Sequence, residues 1–91
     1  MEILDRLLGS DPSDREAADR AVQDVLVGRM IHEARVGAGL TQGELAKLIG
    51  SDQAVISRLE DANYRGHTLT MLRRIAEALG KRLEIRFVDA A

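Results

Sequence analysis

The 91-residue chain has no cysteine and no tryptophan, and only one proline, one tyrosine and one phenylalanine. Without cysteine there is neither a disulfide framework nor a thiolate zinc site, and two histidines, His32 and His67, fall short of a structural metal cage. The reducing cytosol suits such a chain. Long apolar runs are missing as well: Val25-Leu26-Val27 is as long as they become, against roughly 18 residues for a membrane span. Met1-Glu2 opens an acidic segment and not a basic leader, so neither export nor membrane insertion is expected. Neither histidine has a nucleophile, paired carboxylate or metal ligand at useful spacing, and no glycine loop of the phosphate-cradling kind occurs. The reading is of a non-enzyme without cofactor, metal or small-molecule ligand.

Excess positive charge is also absent. Thirteen bases against fifteen acids give a net charge of −2, which taken whole is not the basic footprint of a nucleic-acid binder. The charge is unevenly placed. Residues 1–34 hold eight acids and four arginines, a net −4, whereas residues 35–91 hold nine bases and seven acids, a net +2. An acidic N-terminal part is joined to a mildly basic remainder, although two ordinary solvated faces would give the same count. A chain of this length is one domain, 1–91, and buries only about 60–65% of its unfolded surface, so a partner subunit would add to its stability.

What is present is helical periodicity. Asp11 can cap a helix with Pro12 at its first position, or Ser13 and Glu16 can form a capping box. Ala18, Val22, Leu26, Met30 and Ala34 then recur every four residues, flanked by Ala21, Val25 and Ile31, until Gly37 and Gly39. This predicts a long helix over about 13–37. Thr41-Gln42-Gly43-Glu44 reads as a capping box for a short helix with Leu45, Ala46, Leu48 and Ile49 on its apolar face, and Gly50 stops it. Ser51 or Asp52 caps a third helix whose Val55, Ile56 and Leu59 face inward. Two short helices so close together, spanning 41–61, make a helix-turn-helix. After a polar loop, Thr68 caps a fourth helix over 68–80, with Leu69, Leu72, Ile75, Ala76 and Leu79 as its buried stripe.

The period then changes from helical to two. Residues 82–88, from Arg82-Leu83-Glu84-Ile85-Arg86-Phe87 onward, alternate polar and apolar as a half-buried strand does. One strand alone leaves its backbone groups unpaired, so it needs a partner. Pairing antiparallel with a second copy about a two-fold axis at Ile85 sets Leu83 against Phe87 and Glu84 against Arg86, an opposite-charge pair. An axis at Glu84 would oppose Arg82 to Arg86. Pairing within the chain to residues 2–8 is the other option, but Ile3-Leu4 and Leu7-Leu8 lie at helical spacing.

The stretch LTQGELAKLIGSDQAVISRLED, Leu40 to Asp61, resembles the helix-turn-helix of lambdoid phage repressors and the wider XRE (Cro/C1-type) regulator family. Thr41-Gln42, Glu44-Leu45-Ala46, Gly50, Ile56-Ser57 and Leu59-Glu60 carry the resemblance. The segments from Tyr64 to Gly80 and from Leu83 to Val88, with the opening GSDPSDREAADRA, look like HigA-type antitoxins. The resemblance implies a mainly α, lambda-repressor-like domain of about four helices with a C-terminal strand paired across a homodimer. It also implies a repressor that binds double-stranded operator DNA and a toxin protein, usually an mRNA-cleaving enzyme. In such families the start of the third helix reads base edges, which carries to Gln53 and Ala54, with Ser57 and Arg58 a turn further. Gln pairs well with adenine, Arg with guanine, and the alanine methyl with that of thymine.

Gln42 carries over as a phosphate contact, with Ser51 and Arg65 as further backbone contacts, and Arg35 and Glu60 as a structural ion pair. The chain departs from the repressor pattern after Glu60, where Asp61 and Asn63 replace the usual phosphate-contacting Asn and Lys; Arg65, Arg73 and Arg74 can supply charge nearby. Asp14, Glu16 and Asp19 form the candidate toxin surface, since an RNA-cleaving partner is expected to be basic. Other readings are a phage-type or restriction-modification controller without a toxin, and an interaction module that binds no DNA.

Overall fold

The computed structural model describes residues 12–90, with side chains over 16–90. Four helices form among the described residues: α1, Pro12–Gly37; α2, Gln42–Leu48; α3, Gln53–Glu60; and α4, Leu69–Ala78. α1 begins at Pro12, whose fixed φ and missing N–H suit a first helical position. The Asp11 cap and the Ser13 side chain lie outside the described residues.

The boundaries follow from local chemistry. The Glu44 N–H donates to Thr41 Oγ1 at 3.1 Å and the Thr41 N–H to Glu44 Oε1 at 2.9 Å, the expected capping box of α2. At the other end of α2, Gly50 takes φ 67° while the Ser51 N–H reaches the Ala46 carbonyl at 2.8 Å. That Schellman turn needs a left-handed residue, which glycine adopts without a Cβ clash. The same hydrogen-bond pattern ends α1, with Leu40 N–H to Arg35 O, and α4, with Lys81 N–H to Ala76 O. Asp52, not Ser51, holds the N-cap position of α3, and its side chain makes no capping bond. Thr68 caps α4, accepting the Met71 N–H at 3.2 Å.

The core is built from Ile31 of α1, Leu45 and Ala46 of α2, Ile49 beyond it, Ile56 and Leu59 of α3, and Ile75 of α4. α2 and α3 pack on each other, α1 crosses α3, and α4 closes against α2. This places α2 and α3 in one rigid unit with α3's other face outward.

α1 departs from its expected stripe. Val22, Leu26 and Met30 are 51%, 56% and 46% exposed, and Ile31 with Arg35 is buried instead. A strict four-residue recurrence advances about 40° per step on a 3.6-residue helix, so Ala18 and Ala34 end on nearly opposite sides. The helices that cover α1 are also far shorter than it is, and the α1 residues packed with them, Val27, Gly28, Ile31 and Arg35, lie in its C-terminal half. Leu48 and Leu69, placed on apolar faces by the sequence pattern, are likewise exposed.

Residues 81–90 carry no helix and no strand. The strand expected over 82–88 is therefore not formed among the described residues, which offer it no ladder partner; the option of pairing with residues 2–8 lies outside the described residues. Between α1, α4 and this segment runs an apolar groove of about 250 Å³, lined among others by Met30, Ala34, Leu72, Leu79 and Leu83. No helix among the described residues is long and apolar enough to cross a membrane.

Candidate nucleic-acid interface

Burial of Ile56 and Leu59, with Val55 half-buried beside them, turns the opposite face of α3 outward. Gln53, Ala54, Ser57 and Arg58 are all exposed there, and at 100° per residue they occupy one continuous arc. The turn at Gly50 brings the starts of α2 and α3 to the same side. Gln42 and Gly43 share with Gln53 an open depression of about 520 Å³, which continues to Gly39, Leu40 and Thr41. Gln42 and Gln53, eleven positions apart in sequence, thus border one concave surface. Ser51 lies in the turn between the helices, half-buried, with its N–H committed to Ala46.

This face is braced from behind by Glu60 at the end of α3. Arg35 holds its carboxylate in two bonds, Nε to Oε2 at 2.7 Å and Nη2 to Oε1 at 3.0 Å, and gives a third from Nη1 to the Leu40 carbonyl at 2.8 Å. The ion pair implied by the resemblance is thus present, and it clamps α1, the α1–α2 turn and α3 together. His32 Nδ1 lies 2.8 Å from Oε1 and 3.1 Å from Arg35 Nη2. The carboxylate can only accept, so Nδ1–H donates to Glu60, and the approach of Arg35 Nη2, itself a donor, is then a contact and not a hydrogen bond. Gln42 Nε2 reaches the same oxygen at 3.4 Å, so the helix-start glutamine is oriented by the brace. Burial pushes the Glu60 carboxyl up, but the hydrogen bonds from Arg35, His32 and Gln42, with Arg35's charge, outweigh it and leave the carboxyl below its usual range. Hydrogen bonding to Glu60 raises the Arg35 guanidinium in turn.

Gly28 had no role in the sequence reading. A Cβ there would lie 3.0 Å from the Glu60 carbonyl oxygen, so the absent side chain lets α1 cross the end of α3 closely. A glycine inside an otherwise unbroken helical pattern was the available signal. His67 Nε2–H donates to the Leu59 carbonyl at 2.7 Å with the Tyr64 ring edge-on beside it. These contacts hold the loop after α3.

The remaining charges divide by partner. Arg65 Nε lies 3.8 Å from Asp24 Oδ2, linking that loop to α1. Arg74, read as spare positive charge, donates to the Ile49 carbonyl and ties α4 to the end of α2; a helix terminus attracts a cation in this way. Asp61, which stands at a usual phosphate-contact position, accepts the Asn63 N–H at 2.8 Å and shapes the turn instead. Glu16 and Asp19 are exposed on α1, whereas the Asp14 side chain lies outside the described residues.

Comparison with protein-family models gives a match to a helix-turn-helix family over residues 31–85, from the buried end of α1 through α4 to Ile85. No curated protein and no solved structure gives a significant match. The match covers well over half of the chain and contains the brace, both short helices and the outward face of α3, so the chain belongs to the XRE-type helix-turn-helix family of DNA-binding regulatory domains.

Proposed function

We propose that the chain is a sequence-specific repressor that binds double-stranded operator DNA as a homodimer and serves as the antitoxin of a toxin–antitoxin pair. The observation that carries the DNA reading is the shared surface of Gln42 and Gln53 beside the exposed arc of α3. Gln53, Ala54, Ser57 and Arg58 enter the major groove, while Gln42, Ser51 and Arg65 meet the phosphates. Two such readers, about 34 Å apart on a palindrome, are joined by the strands Leu83 to Phe87 centred on Ile85. With a net +2 over residues 35–91, one copy binds weakly, and the dimer supplies the affinity. Arg58→Ala is expected to cost about 1–3 kcal/mol and to relax preference at one operator position. Competition gel shifts with single-base operator variants check this; an unchanged preference removes Arg58 from base reading. No binding to the chain's own promoter, even at low salt, leaves the interaction-module reading.

The toxin part rests on the resemblance to HigA-type antitoxins and on the exposed Glu16 and Asp19 of α1. Asp14, Glu16 and Asp19 steer and hold a basic, mRNA-cleaving toxin. Reversing the three to Lys is expected to abolish neutralisation while operator binding persists, measured by growth rescue beside gel shifts. Rescue by the reversed protein refutes that surface.

A further inference from the structure

We propose that the apolar groove between α1 and α4 is the socket for Phe87 of a second copy, and that this contact sets the distance between the two reading helices. The inference rests on the strand-paired dimer above and adds to it what the strands alone lack, a fixed seat on each helical body. Leu83 is half-buried and lines the groove beside Met30, Ala34, Leu72 and Leu79, whereas Phe87 is 104% exposed in its own chain. With the axis at Ile85, Leu83 stands opposite the partner's Phe87, about 5 Å across the ladder and on the same face of the ribbon. The face that Leu83 turns to the groove is therefore the face on which the partner's Phe87 arrives.

The surroundings match this occupant. The groove's walls are Met, Ile, Ala and Leu side chains, with Lys81, Arg82 and Glu84 also lining it; the register pairs Glu84 with the partner's Arg86 on the other face of the ribbon. Met30 is 46% exposed and continues into the exposed Leu26 and Val22 of α1, so apolar surface extends past the socket along the same helix. A two-stranded ribbon by itself is a compliant hinge. A ring seated between α1 and α4 of the other copy ties the ribbon to the body that carries α2 and α3, and Phe87 becomes a positioning residue for DNA reading.

Two independent cross-links test the proposal in the full chain. Ile85→Cys reports the strand pairing alone, because residues on the axis lie about 4.5–5.5 Å apart, within disulfide reach. p-Benzoylphenylalanine at position 87, photolysed in a mixture of light and ¹⁵N-labelled protein, reports the socket. The expected product joins chains of different label at Met30, Leu72 or Leu79. An Ile85→Cys disulfide with position 87 joined to its own chain, to residues 1–11 or to another surface overturns the socket and leaves the dimer. Failure of both products overturns both readings.

Phe87→Ala is expected to weaken dimerisation about 100-fold or more by sedimentation, since each dimer loses two buried rings, with Phe87→Leu recovering most of it. In the disulfide-linked Ile85→Cys dimer, Phe87→Ala is expected to lose discrimination between operators whose half-site spacing differs by one base pair. Retained discrimination overturns the spacing role.

Discussion

Glu60 shows how one side chain joins the packing of two helices to the orientation of a residue on a third. It accepts from Arg35, His32 and Gln42, so the residue that locks α1 to α3 also aims the glutamine at the start of α2. Its carboxyl is held below the usual carboxylate range in the folded chain. Its share of stability is therefore complete above the unfolded value of about 4.3 and is lost as pH falls through the lower folded value. Glu60→Gln keeps the shape but gives Arg35 a neutral partner, so a loss of about 1–3 kcal/mol at neutral pH is expected. Urea unfolding at neutral and acid pH checks both parts: the variant starts less stable and loses less on acidification than the parent. An unaltered acid slope would remove Glu60 as a source of the pH dependence. The sequence supplied the pair only through its family resemblance, because residues 25 positions apart have no local pattern that joins them; the His32 and Gln42 bonds were not legible at all.

Among the elements, all four helices were readable, but the face that the long one buries was not. Capping boxes, Schellman glycines and the polar loop are local, and Thr41, Gly50, Thr68 and Gly80 mark their ends where the structure has them. The burial of α1 depends on what crosses it. Gly28 is the contact point, and Gly28→Ala sets two effects against each other. Alanine favours a helix interior by about 1 kcal/mol over glycine. Against that, the new Cβ meets backbone of Leu59 and Glu60 at 3.0–3.3 Å, and the end of α3 yields only by disturbing the Glu60 brace; overpacking of this kind costs about 1–3 kcal/mol. A net destabilisation is expected, read as a lower urea midpoint at unchanged m-value. A stabilised variant would mean that the crossing is looser than the close approach implies.

At the scale of the whole molecule, the described chain leaves much apolar surface without cover: Val22, Leu26 and Met30 on α1, and Ile85, Phe87 and Val88 after α4. If the proposed second copy covers it, Tm is expected to rise with protein concentration, as mass action requires when only the folded chain associates. A Tm that stays constant over a hundredfold concentration range would sink the dimer. The sequence by itself determined the four helices, the cap chemistry, the helix-turn-helix and the outward positions of α3, because each depends on neighbours within a turn or two of the backbone. It also supplied the charge division at Arg35, a net −4 before it and +2 from it onward. Only the tertiary structure decided which face of α1 is buried, that Arg74 serves the end of α2, that Asp61 shapes a turn, and that Gln42 and Gln53 share one surface. Those outcomes depend on which helices meet, at what angle and over what length, and periodicity along a single helix does not contain its crossing partner.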